Sequence, residues 1–348
     1  MKSTVAVILL VATLALIAAP FTACAPSGGG NGGAPAGTVI SWRCGSGEAE
    51  DTPAGIRQKL MADLVRERTD GGLDITVYYS SVLGDWSATN EMTMRGDLEM
   101  IADALDNAFD PRLAISYYMP YLVTSYDEAT EFYAFGNTLF NITYKIMEPL
   151  GYIPLGSTAR GFAGTSFKGA PVAPGDPDVA KGYKIRVMPL QECRLTYERL
   201  GYLTTAIPWG EVYSSIQTGI CDGQMGGGYF QATYFKDLTD TYVAYNDYME
   251  NNWFAVNVDA YHSLPQEYQD ILLDVCQEVS ALSFAQVQEE ELEFKQVLID
   301  WDHEIVELTP AELDKCAMAI RTDVWPQLEQ RIGRDIIHQL YDALGVPY

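Results

Sequence analysis

Residues 181–187 read KGYKIRV, residues 207–219 read IPWGEVYSSIQTG, and residues 220–223 read ICDG. This stretch places one arginine, Arg186, inside a hydrophobic strand and follows it with a helix–strand pair that ends at a glycine-rich turn. A guanidinium is planar, always charged and forked, so it matches a carboxylate through two parallel hydrogen bonds. From spacing alone, Arg186 is equally well read as one half of an ion pair at a strand end.

Working outward, the alternation of strand and helix around this stretch is regular. Downstream of the strand near Tyr183 come helices over 192–200 and 209–218, a strand over 220–224 and a helix over 229–238. Upstream, Val39 to Trp42 reads as a first strand, and Thr52-Pro53 offers an N-cap followed by proline at the first helical position. Ile56, Leu60, Met61, Leu64 and Val65 then share one helical face. Leu73, Ile75, Val77 and Tyr79 alternate as in a strand, a helix over 88–95 leads to a strand over 98–104, and a long amphipathic helix is expected over 126–148. Strands alternating with helices imply α/β units and mainly parallel sheets, and the restart near Tyr183 implies a second domain. Residues 242–258 read as a long strand-like stretch that crosses back to the first. From Gln266 to Trp301 runs a helix about 54 Å long, enough to brace both domains. Thr309-Pro310-Ala311-Glu312 is a capping-box signature, and a short helix ends before Gly345.

The chain has 348 residues, of which 48% are hydrophobic, so it can bury a large core in two domains. Its N-terminus reads as an export signal. Lys2 precedes an apolar run from Val5 to Ala19, and Phe21-Thr22-Ala23-Cys24 resembles a lipoprotein cleavage box despite phenylalanine in the place of the usual leucine. Cys24 is then the lipidated first mature residue; the alternative is an uncleaved membrane helix, although the run is short for one. Residues 25–37, rich in glycine, proline and alanine, read as a flexible tether. Cleavage removes Lys2 and no acid, so the formal net charge of −25 becomes one unit more negative. Such a chain lacks the basic surface that nucleic acid requires. At physiological salt the field of distant carboxylates fades over about 8 Å, so an arginine in direct contact decides whether an anion binds. Cys193 with Cys221 and Cys276 with Cys316 are possible disulfides, with buried free thiols, Cys44 included, as the other reading.

Catalytic signatures are missing. There is no GxSxG, no HExxH and no phosphate-cradling loop ending in Lys-Ser or Lys-Thr. His262, His303 and His338 share no ligand spacing, and no cofactor or metal is expected. Asp176-Pro177-Asp178 reads either as a calcium-binding fragment or as a capping turn.

The KIRV and EVYSSIQTG-CDG segments closely resemble the substrate-binding proteins of tripartite ATP-independent periplasmic (TRAP) transporters. VLGDW near residue 84, MPYLVTSYDEA from residue 119 and LPQEYQDIL from residue 264 extend the resemblance over nearly the whole mature chain. It implies a two-domain α/β fold of the periplasmic-binding-protein type (class II), with a long helix spanning both domains. The expected division is a signal peptide over 1–23, a tether over 24–37, a first domain over 38–162 plus 252–291, and a second over 163–251 plus 292–348, with the ligand cleft between them. It also implies that Arg186 grips the carboxylate of an organic acid. By position, Trp209 stacks on that ligand or else packs as a core aromatic. Asp103, Asn107, Trp86 and Arg43 match cleft positions. Arg160 corresponds to a second family arginine if residues 163–177 carry an insertion; a surface ion pair is its alternative. Where many members continue GQENP, this chain has GQMGGGY from Gly223, so a polar contact is lost while Met225 adds an apolar wall and Gly226 allows close backbone approach. With Trp253, and with Tyr229 and Phe230 nearby, the pocket is expected to suit an acid with a bulky apolar or aromatic body. The implied partners are TRAP integral membrane subunits, with the receptor lipid-anchored in the periplasm or at the cell surface. A solute receptor for an ABC importer or sensor, and an exported acid-processing enzyme, are the alternatives.

Overall fold

The computed structural model describes residues 39–346; the export signal, Cys24 and the tether lie outside them. The first lobe opens with β1 (Ile40–Gly45), α1 (Pro53–Arg68), β2 (Leu73–Tyr78), α2 (Trp86–Arg95) and β3 (Met100–Asp103). Local chemistry sets these boundaries. The Thr52 hydroxyl accepts from the Gly55 N–H at 3.1 Å ahead of Pro53, and the Asp85 carboxylate accepts from the Ala88 N–H at 2.9 Å to start α2. Then follow α3 (Ala114–Tyr117), α4 (Tyr126–Phe132), α5 (Thr138–Met147) and β4 (Tyr152–Phe162). The single helix expected over 126–148 is thus two. Gly136 takes a left-handed conformation, φ 79°, and Asn137 restarts the chain as the cap of α5.

The second lobe contains β5 (Thr165–Phe167), β6 (Lys184–Val187), α6 (Gln191–Arg199), β7 (Leu203–Ala206), α7 (Val212–Gln217), β8 (Gly223–Met225), α8 (Tyr229–Ala232) and β9 (Thr241–Ala244). The chain returns to the first lobe through β10 (Met249–Asn257) and α9 (Val258–Ser263), and runs along α10 (Gln266–Asp300). It ends with β11 (Glu304–Glu307), α11 (Pro310–Asp323), α12 (Trp325–Ile332) and α13 (Arg334–Leu344).

Among the described residues the strands form two sheets, ordered β2-β1-β3-β10-β4 and β11-β9-β5-β8-β6-β7. Each is parallel apart from one reversed strand, β10 in the first and β5 in the second. The stretch expected to cross between domains does so: β9 pairs in the second sheet and β10 in the first, with Tyr245 to Tyr248 between them.

Sequence reading assigned no element to β4, whose stretch YIPLGSTARGF carries a proline and two glycines. Both kinds of residue have a tertiary reason. As the outermost strand of its sheet, β4 tolerates Pro154. At Gly156 a Cβ would stand 2.8 Å from the Cys276 carbonyl oxygen and 2.3 Å from the Ser280 hydroxyl, so glycine lets α10 lie directly on the strand. This helix, 35 residues and about 52 Å long, packs on β4 and α1 of the first lobe and on α8 of the second.

The expected division differs at its C-terminal end. β11 joins the second sheet and α11 packs on α6, but α12 and α13 return to the first lobe, against the 111–113 turn and α5. The Trp325 indole donates to the Pro120 carbonyl at 2.9 Å and Arg321 to that of Tyr121 at 2.7 Å. One hydrophobic cluster runs without a break from Leu98 and Phe140 to Ile185 and Val187, and the described residues form one compact unit. Cys44, Cys193, Cys221, Cys276 and Cys316 are all buried free thiols, so neither proposed disulfide forms.

Candidate functional site

Arg186 is the second-to-last residue of β6, between β8 and β7 in the sheet. It is 3% exposed. Its Nε donates to the Ile207 carbonyl at 2.9 Å and its Nη1 to the Met225 carbonyl at 3.3 Å, two oxygens at the ends of the neighbouring strands. Neither is a counter-ion. Among the described residues no carboxylate pairs with Arg186, and Nη2 donates to nothing. Burial pushes its pKa down, but a guanidinium keeps its charge in proteins, so the site holds an uncompensated cation.

Aromatic rings gather around that cation. Its Cζ stands 5.8 Å from the ring of Trp209, which is 46% exposed and packs edge-on against Phe235 and Tyr234. Tyr117, the last residue of α3, donates to the Met188 sulfur at 3.8 Å, and its ring lies 5.9 Å from Trp86 and 6.1 Å from Tyr248. Gly226 closes this side: it has φ 102°, and a Cβ there would stand 3.2 Å from the Tyr248 hydroxyl.

Arg160, on β4, is the second cation. It is held at 3.1 Å by Glu48, from the loop after β1, and at 3.1 Å by Glu250 on β10. These carboxylates hold it firmly charged, while burial raises the pKa of Glu250. Tyr117 lies within electrostatic range of both arginines, and Tyr234 within range of Glu48, Arg160 and Glu250. Tyr117 and Tyr234 therefore lie between the surroundings of the two poles. Asp103, at the end of β3, accepts from the N–H groups of Gly47 and Ala104 at 2.8 Å each and so braces the loop that carries Glu48. Burial pushes its carboxyl up to about 6. Asn107 is buried in the turn that follows β3.

The structure thus brings together Arg186, Trp209, Gly226, Trp86, Asp103 and Arg160. Three expected residues stand elsewhere. Arg43 is spent on Glu99, with Nη2–Oε1 at 2.9 Å, and on the carbonyl of Asp97, at the end of the sheet where β3 begins rather than where it ends. Trp253 is fully buried, its indole donating to the Ser116 carbonyl and its ring packed on Phe140. Met225 offers Arg186 its carbonyl, while its side chain is buried in the core instead of forming a wall. Tyr229 and Phe230 pack on Tyr242 and Phe294 respectively, with Phe230 also touching Tyr234. Asp176 accepts from Lys315 and from the Asp178 N–H, and Asp178 pairs with Arg199, which makes this segment an ion-paired turn. No group of acids, histidines and cysteines suited to a metal occurs among the described residues.

Sequence reasoning missed Tyr117, Tyr248, Tyr234, Glu48 and Glu250. One signal was available for Glu48: it sits in the loop leaving the C-terminal end of a parallel strand, where open α/β sheets bind ligands. Tyr248 and Glu250 lie where the chain crosses between lobes, which no local pattern marks.

The sequence model of the bacterial extracellular solute-binding proteins, family 7, matches residues 44–330. The C4-dicarboxylate-binding periplasmic protein DctP of Vibrio cholerae is 26% identical over 299 residues, covering 82% of this chain and 85% of its own. The ectoine-binding periplasmic protein TeaA of Halomonas elongata is 26% identical over 248 residues, 67% of this chain and 68% of its own. In fold, the chain is similar to a TRAP periplasmic solute-binding protein from Desulfovibrio salexigens solved with orotic acid, at a TM-score of 0.78 and 21% identity, covering 88% and 99% of the two chains.

Proposed function

Because this chain belongs to the bacterial extracellular solute-binding proteins of family 7, we propose that it is a periplasmic receptor that captures an organic acid and delivers it to TRAP membrane subunits. One observation carries the reading: Arg186 is a buried guanidinium with an unused donor and no carboxylate partner among the described residues. A buried charge left without a partner is costly, and a carboxylate ligand supplies both the opposite charge and the acceptors. Trp86, Tyr117, Trp209 and Tyr234 line the approach, which favours an acid with a bulky apolar or aromatic body. Binding without chemical turnover is part of this reading, as is attachment to the membrane through a lipid on Cys24. No helix among the described residues is long and apolar enough to cross a membrane.

Thermal-shift and calorimetric titration of the soluble domain with organic acids tests the reading. Aromatic monocarboxylates are expected to raise the melting temperature, and Arg186→Ala to abolish the rise while the unliganded domain stays folded. Undiminished binding by the variant would overturn the assignment. Tighter binding of succinate or malate than of bulkier monocarboxylates would overturn the size preference alone. Loss of radiolabelled fatty acid incorporation in Cys24→Ala checks the anchor.

A further inference from the structure

The two poles of the cleft differ in what accepts from the guanidinium: carbonyls alone at Arg186, two carboxylates at Arg160. At Arg186 a donor, Nη2, lacks an acceptor. At Arg160 the two terminal nitrogens meet carboxylates, Nη2 on Glu48 and Nη1 on Glu250, and the residues around that pair have acceptors to spare. Glu48 Oε2 receives only the Thr52 hydroxyl, at 3.5 Å, a distance at which little hydrogen bond remains. Asn252, whose amide donates to Glu48 Oε1 at 3.2 Å, is 2% exposed, and its Oδ1 has no hydrogen-bond partner. Buried polar atoms in native proteins are nearly always satisfied, so the unpartnered Asn252 Oδ1, next to a half-buried Glu48 Oε2 that has only a long contact, points to a donor that arrives from outside.

Charge agrees with this polarity. Glu48 and Glu250 touch Arg160, and Asp103 adds a third carboxylate within electrostatic range. A second carboxylate on a ligand would enter a region where negative charge already exceeds positive.

Resting on the reading of Arg186 as the carboxylate grip, we infer that the ligand is a monocarboxylate whose opposite end carries hydrogen-bond donors, a hydroxyl or ammonium group, received by Glu48 and Asn252. Glu48 is then the residue that selects against dicarboxylates. The Arg186 end recognises what all candidate acids share, and the Glu48 end recognises what distinguishes them.

The test is a matched series titrated against the soluble domain: phenylacetate and its para-hydroxy, para-aminomethyl and para-carboxy derivatives. All four are aromatic and carry the same anchoring carboxylate, so they differ only at the far end. The hydroxy and aminomethyl acids are expected to bind about tenfold or more tightly than phenylacetate, and the carboxy acid more weakly than phenylacetate, in keeping with one gained charge-assisted hydrogen bond. Glu48→Gln, which preserves size and leaves Arg160 paired with Glu250, should remove most of the aminomethyl preference and restore binding of the dicarboxylate. Wild-type protein that binds the para-carboxy acid as well as the para-hydroxy or para-aminomethyl acid, or none of the donor-bearing acids, overturns the inference. In the first case, sensitivity of that binding to Arg186→Ala shows that the carboxylate grip itself survives; binding of the whole series that is indifferent to Arg186→Ala shows that the underlying reading has failed instead.

Discussion

The guanidinium of Arg186 is gripped by two carbonyls that orient it without neutralising it. Orientation matters because a fork aligned in advance loses little freedom when a carboxylate docks. Arg186→Lys keeps the charge and loses the fork. We expect its affinity for aromatic carboxylates to fall by about 1.5–3 kcal/mol, roughly tenfold to a hundredfold, as read by calorimetry. Gly226 tests the opposite wall. Its φ of 102° and the 3.2 Å approach of a Cβ to the Tyr248 hydroxyl leave little room for a side chain. Gly226→Ala should lower stability by about 1–2 kcal/mol in urea unfolding and weaken the ligand response further than stability alone explains.

The two long elements of the fold, β4 and α10, depend on each other. β4 could not keep its glycines or its proline in the centre of an ordinary sheet. It keeps them because it lies at an edge that α10 covers at close range. A side chain at residue 156 would meet the backbone of α10 at Cys276, so Gly156→Val is expected to cost about 3 kcal/mol or more through overpacking. The α11 cap offers a milder comparison. Thr309 and Glu312 form the reciprocal capping box anticipated from sequence, and Thr309→Ala should cost about 1 kcal/mol. Denaturant melts of the two variants would rank these effects; near-equal losses would mean that α10 does not need the bare strand.

At the scale of the whole molecule, the crossing between lobes carries a buried acid. Asp247 lies between β9 and β10, accepts from the Tyr118 hydroxyl at 2.9 Å, has no basic partner among the described residues, and is pushed up to about 7 by burial. Glu291, on α10, accepts from the N–H groups of Tyr229 and Phe230 and is pushed up to about 8 for the same reason. A carboxyl whose pKa is higher in the folded state holds its proton better there than in the unfolded chain. Its contribution is therefore full below the ordinary carboxyl pKa of about 4 and is lost as pH rises through about 7 for Asp247 and about 8 for Glu291. Asp247→Asn cannot ionise. Relative to wild type it should gain on the order of 2 kcal/mol between pH 5 and pH 8, measured by urea unfolding. An unchanged pH profile would refute the role given to Asp247.

The sequence by itself determined the alternation of strands and helices, the caps at Thr52 and Thr309, the 35-residue helix and the strand that presents Arg186. These are carried by short-range periodicity and by backbone groups that a nearby side chain satisfies, so they are written within a few residues of where they act. Tertiary structure alone decided that β4 is a strand, that the C-terminal helices return to the first lobe, and that Arg43 and Trp253 serve the scaffold instead of the cleft. It also decided that Arg160 is claimed by Glu48 and Glu250, residues 112 and 90 positions away along the chain. Whether an arginine is free for a ligand depends on which carboxylates the fold brings within about 4 Å of it, and no local pattern encodes that distance.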